Sequence, residues 1–184
     1  MDPTLKAFKY AEFHHRGQKR KYTGEDYWEH PYAVASMLIE HMEEFSAAKI
    51  TNDMICAAFM HDLIEDTAIT YCDIDNHFGE SIADLVRELT DVTTLTDGNR
   101  HTRKEIERKR LAEVSDAAKT IKLADLIDNS KSIIEHDPKF AKVFMQEMLS
   151  LVVSSLAGGD GILRTRALWI CNEYDKNTNQ PARI

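Results

Sequence analysis

The segment from Thr51 to Thr67 constrains the fold more than any other part of the chain. Thr51-Asn52-Asp53-Met54-Ile55-Cys56-Ala57-Ala58-Phe59-Met60 reads as a capped and mostly buried helix. It must be enclosed by other elements, yet it runs straight into His61-Asp62-Leu63-Ile64-Glu65-Asp66-Thr67, with one histidine and three carboxylates. Buried charges must be paired or bind a metal. The fold therefore has to bring partners to this end from elsewhere, and two pieces offer them: His30-Pro31 upstream and Lys122-Leu123-Ala124-Asp125 downstream.

The rest of the chain carries helical periodicity almost throughout. Leu5, Phe8, Ala11 and Phe13 predict a first helix ending near Gly17, followed by a polar, basic loop over 18–29. Pro31 suits the first turn of a second helix, with Val34, Leu38, Ile39 and Met42 as its apolar stripe. The third helix is expected from Thr51 to Glu65 without a break. A short helix over Thr70–Phe78, closed by Gly79, precedes one marked by Ile82, Leu85, Val86 and Leu89. Thr93–Asn99 is turn-rich; Lys104–Val114 is a charged helix and Ala117–Ser132 a more apolar one. Lys139–Leu156 and Ile162–Tyr174 are the last two, separated by Gly158-Gly159-Asp160-Gly161. No strand pair or repeat stands out, so the fold class is all-α: a single-domain helical bundle over residues 1–175, with a flexible tail over 176–184.

The chain has 184 residues, 43% of them hydrophobic, and no apolar run approaches the ~18 residues of a membrane span. No signal peptide is visible at the N-terminus. Cys56, Cys72 and Cys171 form no CxxC pair and no disulfide framework, which suits a reducing, cytoplasmic setting. A net charge of −8 argues against general nucleic-acid binding. Basic residues nevertheless cluster at Arg16, Lys19, Arg20 and Lys21, and again at Arg100, Arg103, Lys104, Arg108, Lys109 and Arg110. Such patches could hold a small polyanion, or they could be solvated surface.

Four candidate metal ligands emerge: His30, His61, Asp62 and Asp125. Imidazoles and carboxylates without cysteine suit Mn²⁺, Fe²⁺ or Zn²⁺ and lean toward a harder ion. His61 and Asp62 are consecutive and lie about 100° apart on a helix, so both reach one ion only at a helix end with the other ligands on neighbouring helices. Taken singly, each residue has a plainer reading: Asp125 paired with Lys122 or Lys131, His30 as a cap, His-Asp by chance. Glu65 and Asp66 fall four residues beyond His61 and Asp62, where they could orient or deprotonate an attacking water. Acids are unfavourable beside a negative helix end, and that cost favours a functional reading.

His30, His61-Asp62 and Asp125, in this order, resemble the HD-domain phosphohydrolase pattern. Gly17-Gln18-Lys19-Arg20-Lys21, Glu65-Asp66-Thr67, Phe78-Gly79, Leu89-Thr90-Asp91, Glu107-Arg108-Lys109-Arg110-Leu111, Ile121-Lys122-Leu123-Ala124-Asp125 and Asn129 extend the likeness. Over residues 5–157 the chain resembles the hydrolase domain of RelA/SpoT proteins and the stand-alone small alarmone hydrolases. The resemblance implies an HD-type bundle and a Mn²⁺-dependent enzyme that removes the 3′-pyrophosphate from (p)ppGpp. It implies that His30, His61, Asp62 and Asp125 hold the metal and that Glu65 and Asp66 activate the water. Arg20, Lys21, Lys122 and Asn129 would bind the substrate. With no synthetase segment after residue 157, the chain is expected to be hydrolase-only.

Some positions depart from that family. Leu126 stands where an arginine or lysine is common. Asp128 is expected to add negative charge where a polyphosphate would lie. The family's downstream nucleotide-contacting arginine and tyrosine have only loose counterparts, Lys142 and Phe144. An adenine alarmone, or another HD reaction such as NADPH 2′-phosphatase, 5′-nucleotidase or phosphodiesterase activity, stays open, as does a non-catalytic nucleotide-binding protein. The expected partner is a small nucleotide polyphosphate, with no nucleic acid and no membrane. A dimer could form through Trp169, Ile170 and Tyr174, which could equally be core.

Overall fold

The computed structural model describes residues 2–45 and 50–179. The helices in chain order are α1 (Pro3–His14), α2 (Glu29–Phe45), α3 (Asn52–Met60), α4 (Leu63–Asp66), α5 (Tyr71–Phe78), α6 (Glu80–Leu89), α7 (Arg100–Glu113), α8 (Asp116–His136), α9 (Pro138–Ser150) and α10 (Gly161–Asn179). The described residues contain no β-strand, and the fold is all-α as expected.

Two helices sit at the centre. Every residue of α3 from Met54 to Met60 is buried. α1, α2 and α6 pack around it, which is the enclosure its composition demands. Thr51 caps it, its hydroxyl accepting from the Met54 amide at 3.3 Å. Within α3 the Cys56 thiol is buried and burial pushes its pKa up to about 11, the behaviour of an inert core residue. α8 is the second central helix, contacting α2, α6, α9 and α10. Its buried set includes Ile121, Leu123, Ala124, Leu126 and Ile127, and also the acids Asp125 and Asp128.

Local chemistry sets most element ends. Thr70 and Asp73 form a capping box at the start of α5. The turn into α6 passes through Gly79 at φ 92°, a conformation that favours glycine. α7 begins at Arg100 rather than Lys104, because the Asn99 side chain accepts from the Thr102 amide at 3.0 Å and caps an earlier turn. The α9–α10 connection presses against α8: a Cβ on Gly159 would lie 2.9 Å from Leu123 Cδ1 and 3.2 Å from the Lys119 carbonyl carbon.

Three further expectations differ from the structure. The predicted Thr51–Glu65 helix is two helices, broken at His61-Asp62. The predicted Lys139–Leu156 helix gives way after Ser150 to a π turn over Leu151–Ser155, where the Leu156 amide reaches back to the Leu151 carbonyl at 2.9 Å. The last helix continues through Asn179, past Lys176 where the tail was expected to begin; residues 180–184 lie outside the described residues. Of the aromatic and aliphatic residues considered for an interface, Trp169 is 62% exposed, whereas Ile170 and Tyr174 pack partly against the core.

Candidate metal centre and adjoining cavity

The break between α3 and α4 brings the paired ligand residues into position. His61 keeps helical geometry, but Asp62 opens to φ −95°, ψ −3°, and a single turn, α4, follows. Adjacent side chains that would diverge along a straight helix here converge: His61 Nε2 lies 3.1 Å from Asp62 Oδ2. His30, in the first turn of α2, places Nε2 3.7 Å from Asp62 Oδ2 and 3.1 Å from Asp125 Oδ1. Asp125 Oδ1 is 3.9 Å from His61 Nε2. The four residues singled out in the sequence thus meet at one point from three separate elements.

Each is held from behind. The His61 Nδ1 lies 2.8 Å from the Ala58 carbonyl, which can only accept, so Nδ1 carries the proton. His30 Nδ1 donates to Asp128 Oδ2 at 2.8 Å. The Tyr27 hydroxyl donates to Asp62 Oδ2 at 2.8 Å. Asp125 is gripped twice, by Lys122 Nζ at 2.8 Å and by the Asn129 amide at 2.6 Å. These buttresses fix tautomer and orientation.

The electrostatics follow from burial against pairing. Burial opposes charge on His30, but hydrogen bonds to Asp125 and Asp128 outweigh it and lift its pKa to about 9. Burial likewise opposes ionisation of Asp62 and Asp125. The histidines beside Asp62, and Lys122 with His30 beside Asp125, nevertheless hold both carboxyls below their ordinary range. Tyr27 is pushed far up by burial and by Asp62 and Asp66, so its phenol remains a donor. Glu65 is raised by burial and by Asp91 and Asp62; Asp66 is raised by burial and Asp62.

The donor set fits a divalent cation. His61 Nε2 is fully buried, lacks a hydrogen-bond partner, and faces carboxylate oxygens. Burial opposes charge on this ring, yet Asp62 and Asp125 outweigh it and raise its pKa, so the position stabilises a positive charge, whether a proton or a bound cation. His30, His61 and Asp62 offer three ligand atoms all within 4.8 Å of one another, and Asp125 adds a carboxylate at the same point.

The cluster forms one end of a cavity of about 690 Å³ between α7, α8, α9 and the segment after α6. Glu65, Lys122 and Asn129 line it with Tyr27, Asp91, Arg100, Lys104 and Arg108. Asp66 does not line it; Gln18 donates to its backbone carbonyl at 2.8 Å. Arg20 also stands off the cavity, 3.4 Å from each of Asn129 Oδ1, Asp128 Oδ2 and Ser132 Oγ. Lys21 lies over the Tyr22 ring and donates to its hydroxyl at 3.2 Å. Of the two loose downstream candidates, Phe144 lines the cavity and Lys142 does not.

Two expectations need correction. Asp128 does not line the cavity; it is buried, with its carboxylate on the far side of His30 from Asp125. Asp125, Asp128 and Asn129 share one face of α8 at spacings of three and four, a signal that pointed to this role. Glu65 and Asp66 do not sit at the negative end of a long helix, since α4 is one turn, so the unfavourable-dipole argument for them falls away. Tyr27 was missed, because its loop position leaves no periodic signal. Glu107, noted only as part of a motif, is a buried clamp: Oε1 accepts from the Val92 and Thr93 amides at 2.8 Å each, and Oε2 from Arg110 at 2.7 Å.

Comparison with known proteins places this geometry in context. The HD domain family model matches residues 7–163. The Drosophila melanogaster guanosine-3′,5′-bis(diphosphate) 3′-pyrophosphohydrolase MESH1 is 33% identical over 134 residues, covering 73% of this chain and 71% of that protein. The Escherichia coli K12 bifunctional (p)ppGpp synthase/hydrolase SpoT is 33% identical over 159 residues, 85% of this chain but 21% of SpoT. Among solved structures, a metazoan ortholog of SpoT that hydrolyzes ppGpp superposes with a TM-score of 0.81 at 27% identity, over 95% of this chain and 96% of that one.

Proposed function

The chain belongs to the HD domain family, and on that footing we propose that it is a metal-dependent alarmone hydrolase. It removes the 3′-pyrophosphate of guanosine or adenosine tetra- and pentaphosphates, releasing pyrophosphate and a nucleoside 5′-di- or triphosphate. The observation that carries the reading is the meeting of His30, His61, Asp62 and Asp125 at the end of a cavity that also presents Lys122, Lys104 and Arg108. A polyphosphate needs local cations, and the net charge of −8 supplies none globally.

The four ligands hold the metal, and two imidazoles with two carboxylates suit Mn²⁺, with Zn²⁺ or Fe²⁺ as alternatives. When bound, such an ion supplies Lewis-acid polarisation and acidifies water toward neutral pH. The chain's own residues do the rest. Glu65, its carboxyl raised by burial and neighbouring acids, accepts the water proton. The water oxygen bonds to the phosphorus on the ribose 3′-oxygen, that P–O bond breaks, and the 3′-oxygen leaves with the proton that Glu65 accepted. Lys122 and Asn129 fix Asp125 and face the reacting group. Tyr27 orients Asp62, and Asp66 supports the Tyr27–Asp62 pair through its charge. Arg20 and Lys21 meet the nucleotide from beside Asn129 and Phe140.

The setting is a reducing cytoplasm and the ligand a small nucleotide, neither nucleic acid nor membrane. Three free cysteines support the first, and no described helix is long and apolar enough to cross a membrane.

The test is product analysis after incubating Mn²⁺-loaded protein separately with ppGpp, ppApp, NADPH and dGMP. Pyrophosphate plus a nucleoside 5′-diphosphate from ppGpp or ppApp is the expected result and chooses the base. Inorganic phosphate from NADPH or dGMP alone would move the chain to another HD reaction.

A further inference from the structure

The basic cluster of α7 has a layout that the metal chemistry does not require. Arg100, Lys104 and Arg108 are spaced i, i+4, i+8, so they form one stripe about 12 Å long on the helix. All three line the cavity. The stripe adjoins the reacting centre, because Asp91 pairs with Lys104 at 3.2 Å and also acts on Lys122.

Each cation of the stripe is already paired with a carboxylate that lines the same cavity: Arg100 with Glu147, Lys104 with Asp91, Arg108 with Glu105. Two of these pairs are local, Arg108–Glu105 within one helix and Lys104–Asp91 with the segment just before it. Arg100–Glu147 instead joins α7 to α9. It uses two guanidinium nitrogens, Nε to Oε1 at 2.9 Å and Nη2 to Oε2 at 2.6 Å. The guanidinium also lies over the Phe140 ring at 5.0 Å, which holds its plane while leaving its donor edge free to change partner. Arg100 is 45% exposed at the side chain and Glu147 24%, so solvent screens the pair and opening it is easy.

We propose that Arg100 is a diphosphate-reading residue held in reserve by Glu147. The pyrophosphate group takes the two donor positions that Glu147 occupies in the free protein, and Glu147 reclaims them as pyrophosphate leaves. Guanidinium binds phosphate and carboxylate with the same two-pronged geometry, so one arm serves both partners without rebuilding the wall. Glu147 thus sets how tightly the product is held and limits self-inhibition. This inference rests on the alarmone reading for its substrate, but its chemistry concerns a diphosphate whatever nucleoside carries it.

The experiment titrates inorganic pyrophosphate against Mn²⁺-loaded wild type, Arg100→Ala, Arg100→Lys, Glu147→Gln and the Arg100→Ala/Glu147→Gln double variant. Steady-state ppGpp hydrolysis by the same proteins is read separately. Arg100→Ala should weaken pyrophosphate about tenfold, as expected for a lost charge-assisted contact, and Arg100→Lys should fall between it and wild type. Glu147→Gln should tighten pyrophosphate about threefold and lower KM rather than raise kcat. In the Arg100→Ala background the Glu147 change should have no effect. An equal Glu147→Gln effect with and without Arg100, or unchanged pyrophosphate affinity in Arg100→Ala, overturns the inference. Wild type that shows this binding pattern yet leaves ppGpp intact would uphold the diphosphate site and sink only the alarmone reading.

Discussion

The ligand cluster and the α7 wall are built on opposite plans. At the cluster His30, His61 and Asp125 are buried and Asp62 is half-buried, and each is held by a fixed neighbour: Ala58 for His61, Asp128 for His30, Tyr27 for Asp62, and both Lys122 and Asn129 for Asp125. Along α7 the charged groups are partly exposed and pair with acids that line the same cavity. Buried pairs are costly to break, about 3–5 kcal/mol when one partner is removed, whereas exposed pairs contribute about 0–1 kcal/mol. The cluster is therefore fixed in shape and suited to one reaction. The wall can exchange partners and is where preference among substrates can be adjusted.

Substitutions can break or sharpen this contrast. Asp62→Ala should have the largest effect, abolishing both bound metal and turnover; elemental analysis beside an activity assay checks it, and full activity in a metal-free variant would remove the site. Glu65→Gln should keep the metal and cut turnover by about 10²–10⁴-fold, the range for lost acid–base help; an unchanged rate would take Glu65 out of the mechanism. Asp128→Asn leaves all four ligands in place but loosens His30 and should weaken metal affinity about 10–100-fold, measured by Mn²⁺ titration. An unaltered affinity would show that rigidity behind the ligand does not matter. Lys104→Ala should do least: metal content the same, with KM for ppGpp raised about three- to tenfold as uniform binding is lost. A loss of metal there would mean that wall and cluster are one unit after all.

How much of this was legible in the sequence divides along the same line. The helices were readable because Thr51, Thr70 and Gly79 punctuate clean apolar periods, and the four ligands because His30, His61-Asp62 and Asp125 occur in one order among apolar neighbours. The break after α3 was not, since neither His61 nor Asp62 is a helix breaker and the turn is set by tertiary contacts. Asp128 was visible as an acid but misread, because its partner His30 is 98 residues away. Arg100 was noted only as one of a basic group; its pairing with Glu147 depends on how α7 and α9 dock, which periodicity does not encode. The π turn after Ser150 carries no glycine or proline to announce it.

The wide sequence separation of the ligands has one more consequence. His30, the His61-Asp62 pair and Asp125 come together only when α2, α3 and α8 are packed, so an unfolded chain offers no site of comparable affinity. A cation that binds the native chain alone is then a folding ligand as well as a reagent. At a hundredfold excess over its dissociation constant it adds about 2.7 kcal/mol to the native state. Metal supply and protein survival become linked quantities: a cell poor in the ion would hold a less durable population of this chain as well as a less active one.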